Sequence, residues 1–339
     1  MIRGKTGDGN LIAIDDQRMD RTGEGLRLFV VPERWFIWYF FFPVGLTVHL
    51  WYTALFIGLR GEHFFFYFLA LFLALGNEKT RRFFTAAVPI WVFGVFYDSM
   101  RLIPSEWMGK IHVADLYLRE KALFGVTVDG KRLILPEVFE IYNTPMLDLV
   151  GGILYVSYLA VFLLFLLYIL LKDYRKARLL GWSFCILNVA GLVTFQLYPA
   201  APPWYVTCHG LGPPDPTVPA NPAGTLRFDA LVGVPFFEAI YRKSPDVFGA
   251  MPSLHVANPI LIFLYARHLS RRWAWSSFAY AFGVAFSAVY FNHHYLLDIV
   301  VGGLYAGITY LILPWGWERL MGGGDMPRPP APGFPVSRE

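Results

Sequence analysis

Charged residues, cysteines and nucleotide-binding glycine motifs are all scarce in this chain. Charged residues make up 16% of the 339 positions, whereas about 25% is usual in a soluble domain. The two cysteines are too few for a disulfide framework or a cysteine-ligated zinc site. The net charge of +4 is small and dispersed, which argues against nucleic-acid binding. The sequence also has no internal repeat and no Gly-rich phosphate loop.

Apolar residues dominate instead, at 56% of the chain, and the mean hydropathy is +0.45. A bilayer core about 30 Å thick needs roughly 20 apolar residues in a helix. Since a backbone in lipid must satisfy its own hydrogen bonds, long apolar runs predict an all-α, polytopic membrane helix bundle. The run at 63–76 is short, so a re-entrant helix is an alternative there. The predicted spans are residues 35–59, 63–76, 82–101, 149–171, 179–198, 254–269, 274–292 and 295–314.

Two long polar segments interrupt the series of spans. They cover roughly 102–148 and 199–253, and both keep aromatic residues among their prolines. Long loops in a compact protein are usually functional or disordered, and the aromatic content favours ordered caps on the membrane surface. We therefore expect an N-terminal cytoplasmic segment at 1–34, a transmembrane catalytic domain at 35–314 and a C-terminal tail at 315–339. The N-terminus does not resemble a cleavable signal peptide.

Lysine and arginine mark one side of the predicted bundle. They cluster in the short turns near 77–82, 172–178 and 267–273. Basic residues in short loops favour the cytoplasmic side. With eight spans, both termini share that side. The long polar segments and the turn at Asn292–His293 then face the periplasm or an organelle lumen.

Two histidine motifs stand at the mouths of apolar runs on that outer face. One is "PSLH", which ends at His255, and the other is "HHYLLD", which contains His294 and Asp298. Residues four apart share a helix face, so the Asp298 carboxylate is expected to accept a ring N–H of His294 and fix its tautomer. An activated histidine and a second histidine as proton donor suffice for phosphoryl transfer. This scheme requires neither a metal nor a cofactor.

Plainer interpretations exist for the same residues. A histidine in a membrane helix can be a hydrogen-bonded packing residue, and a His-x-x-x-Asp pair can be structural or can bind a metal. Ionisable groups inside a membrane are nevertheless costly and usually functional. Because the two motifs share one membrane face, the sequence favours a catalytic site.

The motifs resemble those of the type 2 phosphatidic acid phosphatase superfamily. "PSLH" at 252–255 is similar to its P-S-G-H motif, and the pattern from Ser287 to Asp298 is similar to S-R-x5-H-x3-D. A closer resemblance is to the inositol phosphorylceramide synthases and their bacterial relatives, over roughly residues 90–305. It implies a six-helix phosphatase-like core preceded by about two further helices. The segments that carry it are "YPAAPPWY" (198–205), "GTLRFDALVG" (224–233), "FGAMPSLH" (248–255) and "HHYLLDIVVGG" (293–303).

The chain departs from the phosphatases in its cations. The K-x6-R-P motif has no counterpart at 191–199, and Ala288 replaces the arginine of the third motif. Those cations hold a phosphomonoester dianion, so their loss fits a phosphodiester donor. Arg227 in "LRFD" is a candidate substitute, or else an exposed surface residue.

The resemblance implies transfer of an inositol-phosphate head group from phosphatidylinositol to a hydroxyl lipid such as ceramide, within a membrane. His294 would be the nucleophile, Asp298 its orienting partner and His255 the general acid and base. One alternative is a lipid phosphate or polyprenyl-diphosphate phosphatase that uses water. Another is a non-catalytic transporter or assembly subunit. No partner subunit is identifiable from the sequence.

Further polar residues are candidates for substrate binding. Asp98 and Arg101 could pair with each other instead, and Asp148 could cap its helix. No metal ligands are expected. The candidates are Ser253, His293, Arg227, Asp229, Asp98, Arg101 and Asp148.

Overall fold

The computed structural model describes residues 36–103, 109–244 and 247–320. Helices account for nearly all of their regular structure, which confirms the all-α prediction. The helices are α1 (Ile37–Ile57), α2 (Gly61–Leu75), α3 (Glu78–Ser99), α4 (Ala114–Phe124), α5 (Leu135–Ile141), α6 (Pro145–Val156), α7 (Tyr158–Lys172), α8 (Tyr174–Leu197), α9 (Pro203–His209), α10 (Leu226–Val232), α11 (Phe236–Tyr241), α12 (Leu254–Ala266), α13 (Arg271–Tyr290) and α14 (Leu296–Leu320).

One small β-hairpin accompanies them in the described residues, with strands β1 (Val126–Val128) and β2 (Lys131–Leu133) paired antiparallel. Its turn places Asp129 and Gly130 at positive φ, as a tight two-residue hairpin turn requires. The expected N-terminal segment 1–34 lies outside the described residues. Of the expected tail 315–339, the backbone is described to Leu320, and it continues α14.

Each predicted span corresponds to a helix or helix pair, but the helices differ in length. Four are long and apolar enough to cross a membrane: α1, α3 with its terminal turn, α8, and α14 up to Leu313. Helices α6 and α7 form a fifth span if counted together, with a bend of 49° between them. Helix α12 has 13 residues and α2 has 15, which is short for a full bilayer. The chain is thus an integral membrane protein with several apolar helices.

Helix α2 runs antiparallel between its neighbours. At its start, Arg60 and His63 bond to Asp98 near the end of α3. At its other end, Arg81 near the start of α3 donates to the carbonyl of Ala74. The two ends of α2 therefore lie at opposite ends of α3, so α2 runs alongside most of the length of α3.

The core of the bundle lies where α7, α8, α12 and α14 meet. Phe162, Phe184, Leu187 and Leu261 are buried there, together with Ala306. By contrast, large apolar side chains on α1 and α2 are widely exposed, as expected for a lipid-facing surface. The buried core fixes α12 and α14, the two helices that carry the histidine motifs.

The polar segments form ordered caps at one end of the bundle. Short extended stretches tie the two caps together, because Ala201 N donates to the carbonyl of His112 and Ala200 N to that of Phe248. Ala250 N donates in turn to the carbonyl of Ala200. These bonds fix the chain just before the "PSLH" motif.

Candidate active site

The turn between α13 and α14 presents both adjacent histidines. Asn292 adopts φ +64°, a left-handed conformation that asparagine tolerates better than most residues. The backbone N–H groups of His293 and His294 both reach the carbonyl of Ala288, at 3.1 Å each. The chain then re-enters the bundle directly as α14, with both imidazoles held beneath the caps.

A buried acid from α4 caps the start of α14. Glu120 Oε1 accepts from Leu296 N at 2.9 Å and Oε2 accepts from Leu297 N at 3.1 Å. Asp298 Oδ2 accepts from Tyr295 N at 2.8 Å. Glu120 and Asp298 are both fully buried. These bonds satisfy amide groups that a helix start leaves unpaired, and they locate the Asp298 carboxylate next to the histidine turn.

The partner of His294 differs from the expected one. Its Nδ1 lies 2.9 Å from the carbonyl oxygen of Ala250, but 3.5 Å from Asp298 Oδ2. The second distance exceeds a hydrogen bond, because Asp298 Oδ2 is directed at Tyr295 N. A carbonyl can only accept, so Nδ1 carries the proton and Nε2 keeps a lone pair. Ala250 sets the tautomer, and Asp298 lies next to the ring without a hydrogen bond to it.

His255 starts α12 and faces His294. The centres of the two rings are 5.7 Å apart, with 53° between the ring planes. On its other side His255 stacks on Tyr155, at 4.6 Å and 17°. The structure therefore brings the two histidine motifs into one site, across the boundary between α12 and α14.

A stack of rings continues from His255 to the outer cap. Tyr155 lies parallel to His293 at 5.5 Å, and His293 lies parallel to Tyr241 at 4.6 Å. The hydroxyl groups of Tyr155 and Tyr241 are 3.2 Å apart. His293 Nε2 donates to the carbonyl of Pro222 at 3.0 Å. His293 is therefore held by protein groups on both ring faces and at one nitrogen.

Burial determines the protonation state of the two histidines in the turn between α13 and α14. It lowers the pKa of His294 to about 4 and lowers the pKa of His293 well below its ordinary value. Burial disfavours a charged imidazole because the ring loses the water that would solvate the charge. Both rings are therefore neutral near neutral pH, and His294 Nε2 is available as a nucleophile.

Four buried side-chain oxygens at this site have no hydrogen-bond partner among the described residues. They are Ser253 Oγ, Asn292 Oδ1, Tyr295 Oη and Asp298 Oδ1. An unsatisfied buried polar atom costs about 1–3 kcal/mol, so this region is suited to a polar ligand. The backbone is tightly fitted here, since Ser253 N donates to the carbonyl of Asp298 at 3.0 Å. A Cβ at Gly302 would lie 2.5 Å from the Ser253 carbonyl oxygen.

Arg227 and Asp148 bind each other. Arg227 Nε donates to Asp148 Oδ1 at 2.8 Å, and the hydroxyl of Tyr290 donates to the same oxygen at 2.9 Å. The guanidinium lies 5.1 Å from the centre of the Tyr290 ring. Arg227 is therefore neither an exposed surface residue nor an unpaired cation. The expected capping role of Asp148 falls to Thr144, whose Oγ1 accepts from Leu147 N.

The remaining candidates also have protein partners. Asp229 accepts from Phe237 N and Glu238 N, so its carboxylate caps α11. Asp98 and Arg101 pair with each other at 3.0 Å. They lie where the end of α3 meets the start of α2, and the Asp98 carboxylate also contacts Arg60 and His63 there.

Sequence reasoning missed Glu120, Tyr155 and Tyr241. Glu120 lies in "LYLREKALF", where a charge is usually solvent-exposed, and nothing in the pattern indicates a buried cap. The tyrosines lie in aromatic-rich segments and resemble ordinary core residues. Among the residues that the structure describes, no three His, Cys, Asp or Glu side chains cluster as metal ligands would.

Two cavities border the site. One of about 470 Å³ lies beside the ring stack, and both Pro222 and Tyr241 line it. The other measures about 340 Å³ and is apolar. It is lined by Val156, Phe228, Val232, Val234 and Phe236.

The chain matches known proteins across this region. The PAP2 superfamily model matches residues 136–312. Phosphoinositol dihydroceramide synthase of Bacteroides thetaiotaomicron is 36% identical over 82% of this chain and 92% of its own length. No solved structure matches.

Fungal proteins match over a smaller part of their length. The inositol phosphorylceramide synthase of Candida albicans is 31% identical over 71% of this chain and 51% of its own length. The inositol phosphorylceramide synthase catalytic subunit of Schizosaccharomyces pombe is 28% identical over 71% of this chain and 56% of its own. The chain thus spans about half of each fungal relative. With its paired histidine motifs and these matches, the chain belongs to the PAP2 superfamily, in the branch that includes the inositol phosphorylceramide synthases.

Proposed function

We propose that this protein is a lipid phosphotransferase that moves the phosphoinositol group of phosphatidylinositol to the hydroxyl of a ceramide-type lipid. The observation that carries the proposal is the pairing of His255 with His294, whose Nε2 lone pair is free to react. The names of the relatives indicate the donor and acceptor classes, and the match to the bacterial relative covers nearly all of that protein.

The first half-reaction forms a phosphohistidine. His294 Nε2 attacks the phosphorus of the donor, and the bond from phosphorus to the glycerol oxygen breaks. His255 gives a proton to that oxygen, so diacylglycerol leaves as a neutral alcohol. Positive charge develops on the His294 ring during this step. The Ala250 carbonyl and the Asp298 carboxylate stabilise it.

The second half-reaction uses the lipid acceptor. His255 takes the proton of the acceptor hydroxyl while the oxygen attacks phosphorus. The P–N bond breaks and its electron pair returns to His294 Nε2. The product is a phosphoinositol lipid, and both histidines regain their starting protonation states.

Ser253 and the start of α12 are suited to the phosphate. The helix N-terminus supplies amide groups and positive potential, and the buried Ser253 hydroxyl has no other partner among the described residues. Ala288 stands where the superfamily motif has arginine. A phosphodiester carries one negative charge, so fewer cations are needed than for a phosphomonoester.

The cavities fit the two parts of a phospholipid. The larger one borders the ring stack and includes the polar side chains of Glu238, Arg242 and Ser244, which suits a polyol head group. The apolar one suits a hydrocarbon chain. The chemistry is on the non-cytoplasmic face in this proposal, because the basic turns lie at the opposite ends of the helices.

The test is a product analysis with purified protein. Phosphatidylinositol labelled in the inositol ring is supplied with ceramide, with dihydroceramide or with no acceptor, and products are identified by mass spectrometry. Labelled sphingolipid and diacylglycerol in equal amounts are expected.

Free inositol phosphate as the sole labelled product would contradict transfer to a lipid. Phosphate release from phosphatidic acid or a polyprenyl diphosphate would instead favour the phosphatase alternative. If no substrate turns over under any condition, a transporter or assembly role becomes the better interpretation.

A further inference from the structure

Helix α11 covers the histidine site and is anchored at both ends. At its start, the Asp229 carboxylate accepts from two amide groups. At its end, the Tyr241 ring lies on His293 at 4.6 Å and its hydroxyl meets that of Tyr155. We call α11 the cap helix, because it forms one wall of the larger cavity.

The chain just after the cap helix is tied to α2 and α3. The guanidinium of Arg101 donates to the carbonyl of Lys243. Lys243 Nζ lies 3.6 Å from Glu62 Oε2, and the hydroxyl groups of Tyr97 and Ser244 are 3.4 Å apart. The cap helix is thereby attached to the N-terminal helices at three positions.

Arg101 is the link between this attachment and a larger ionic network. Its Nε donates to Asp98 Oδ1 at 3.0 Å. The same carboxylate accepts from Arg60 at 2.6 Å and contacts His63 at 3.0 Å. A lysine could not reproduce this arrangement, since only the planar fork of arginine presents separate donors to a carboxylate and a carbonyl.

We propose that Arg101 is a positioning residue that holds the cap helix over the catalytic histidines and so excludes water during transfer. The inference rests on the proposed function, because it concerns the lifetime of the phosphohistidine. If water reached it, the water oxygen would attack phosphorus, His255 would take a proton and the P–N bond would break. Inositol phosphate would then be lost instead of transferred. Arg101 acts through Tyr241 and has no direct role in the chemistry.

The experiment compares Arg101→Gln and Arg101→Lys with the wild type. Both transferred lipid and released inositol phosphate are measured in the same reaction. We expect the ratio of hydrolysis to transfer to rise about tenfold in Arg101→Gln, the size of effect that loss of a charged hydrogen bond produces. Arg101→Lys should raise it by less. Arg82→Gln is the control, because Arg82 lies on the same helix and pairs with Glu78 at the far end.

A second readout does not depend on turnover. Hydrogen–deuterium exchange of residues 236–244 should accelerate in Arg101→Gln and remain unchanged in Arg82→Gln. A wild-type product ratio and a wild-type exchange rate in Arg101→Gln would overturn the inference. If that variant fails to fold, Arg101→Lys decides in the same way. Should the wild type make no product, the proposed function fails, and exchange still reports whether Arg101 holds the cap helix.

A double variant tests the route of action. Tyr241→Leu removes the ring that contacts His293. If Arg101 acts through Tyr241, adding Arg101→Gln to Tyr241→Leu should leave the product ratio where Tyr241→Leu alone places it. Fully additive effects would show that Arg101 acts by another route, and would overturn this positioning role.

Discussion

The hydrogen bond from His294 Nδ1 to the Ala250 carbonyl fixes the tautomer and the orientation of the His294 ring. A backbone carbonyl cannot be protonated, so the Nδ1 proton stays in place whatever the state of Asp298. The ring orientation therefore depends on the extended segment before "PSLH", which the two caps hold by backbone bonds. Asp298 is the one carboxylate within 4 Å of the His294 ring among the described residues, and in the proposed mechanism it acts through its charge.

Replacing either catalytic histidine should abolish transfer. In His294→Ala the nucleophile is lost, and in His255→Ala the leaving group receives no proton. Acid–base help alone is worth about 10²–10⁴-fold, so turnover should fall by at least that factor with the elution profile unchanged. The matched control is His268→Ala, whose ring bonds to Tyr310 near the other end of α12. Near-normal turnover in either catalytic variant would exclude the mechanism.

Asp298→Asn should retain partial activity. The amide can still accept from Tyr295 N, and Ala250 still orients the ring, but the negative charge that stabilises the developing imidazolium is gone. We expect a loss of kcat of about 10²–10³-fold, typical of losing one such electrostatic contact, with little change in KM. Asp173→Asn is the control, since Asp173 caps the N-terminus of α8, at the end of that helix away from the histidine site. Wild-type kcat in Asp298→Asn would assign Asp298 a purely structural role.

At the scale of elements, α14 lies very close to the start of α12, where we propose that the phosphate binds. A Cβ at Gly302 would lie 2.5 Å from the carbonyl of Ser253, whereas at Gly307 nothing lies within 4 Å. Both glycines are on α14, and they are separated by a little more than one helical turn. This contact explains why the "VVGG" segment follows the catalytic aspartate.

Gly302→Ala should therefore displace the Ser253 peptide and reduce transfer by at least tenfold. Gly307→Ala should keep full activity and raise the thermal unfolding temperature slightly, since alanine favours a helix by about 1 kcal/mol over glycine. Turnover and unfolding of both variants in the same detergent provide the measurement. Equal activity in the two would show that the approach of α14 to Ser253 is not needed.

The apolar runs predicted the membrane helices because the length of an apolar run can be read directly from the local sequence. The predicted span at 254–269 is observed as Leu254–Ala266, and that at 274–292 as Arg271–Tyr290. The caps were predicted only as ordered segments, because short helices such as α9 to α11 depend on contacts distant in sequence.

His255, His294 and Asp298 could be proposed as a catalytic trio from sequence because their motifs are short and contiguous. The groups that hold these three residues in place could not be predicted from the sequence. Ala250 acts through a backbone carbonyl, which no residue type reveals, and Glu120 reaches α14 across more than a hundred residues of chain. Arg227 and Asp148 looked like separate binding candidates, yet they form one partly buried ion pair. Such pairings arise from tertiary packing, and a single sequence does not record them.

At the scale of the whole molecule, the region outside the superfamily match contributes to the site. The match begins at residue 136, so α1 to α3 precede it. Helix α3 packs closely on α8, where a Cβ at Gly181 would lie 2.5 Å from the carbonyl of Ala86. The short 3₁₀ turn Met100–Leu102, which directly follows α3, holds Arg101 next to the cap helix. The N-terminal helices thus expose apolar side chains on one surface and contact the chain next to the cap helix at one end.

The orientation of the molecule decides which lipid leaflet supplies the substrates. All the basic turns lie at one end of the helices and the histidine site at the other, so we expect the site to face away from the cytoplasm. The native cysteines offer a direct test, because Cys208 is exposed in the polar segment 199–253 and Cys185 is buried. Cys208 should react with a membrane-impermeant maleimide in intact cells.

The matched variant carries Cys208→Ser together with Lys172→Cys, which moves the thiol to the exposed turn after α7. It should be labelled only after the membrane is permeabilised. The reverse pattern would place the histidines in the cytoplasm. It would leave the two-histidine chemistry intact, because that chemistry depends on local contacts. The donor and acceptor would then have to be drawn from the cytoplasmic leaflet, so transfer in sealed vesicles would require substrates on the face that carries Cys208.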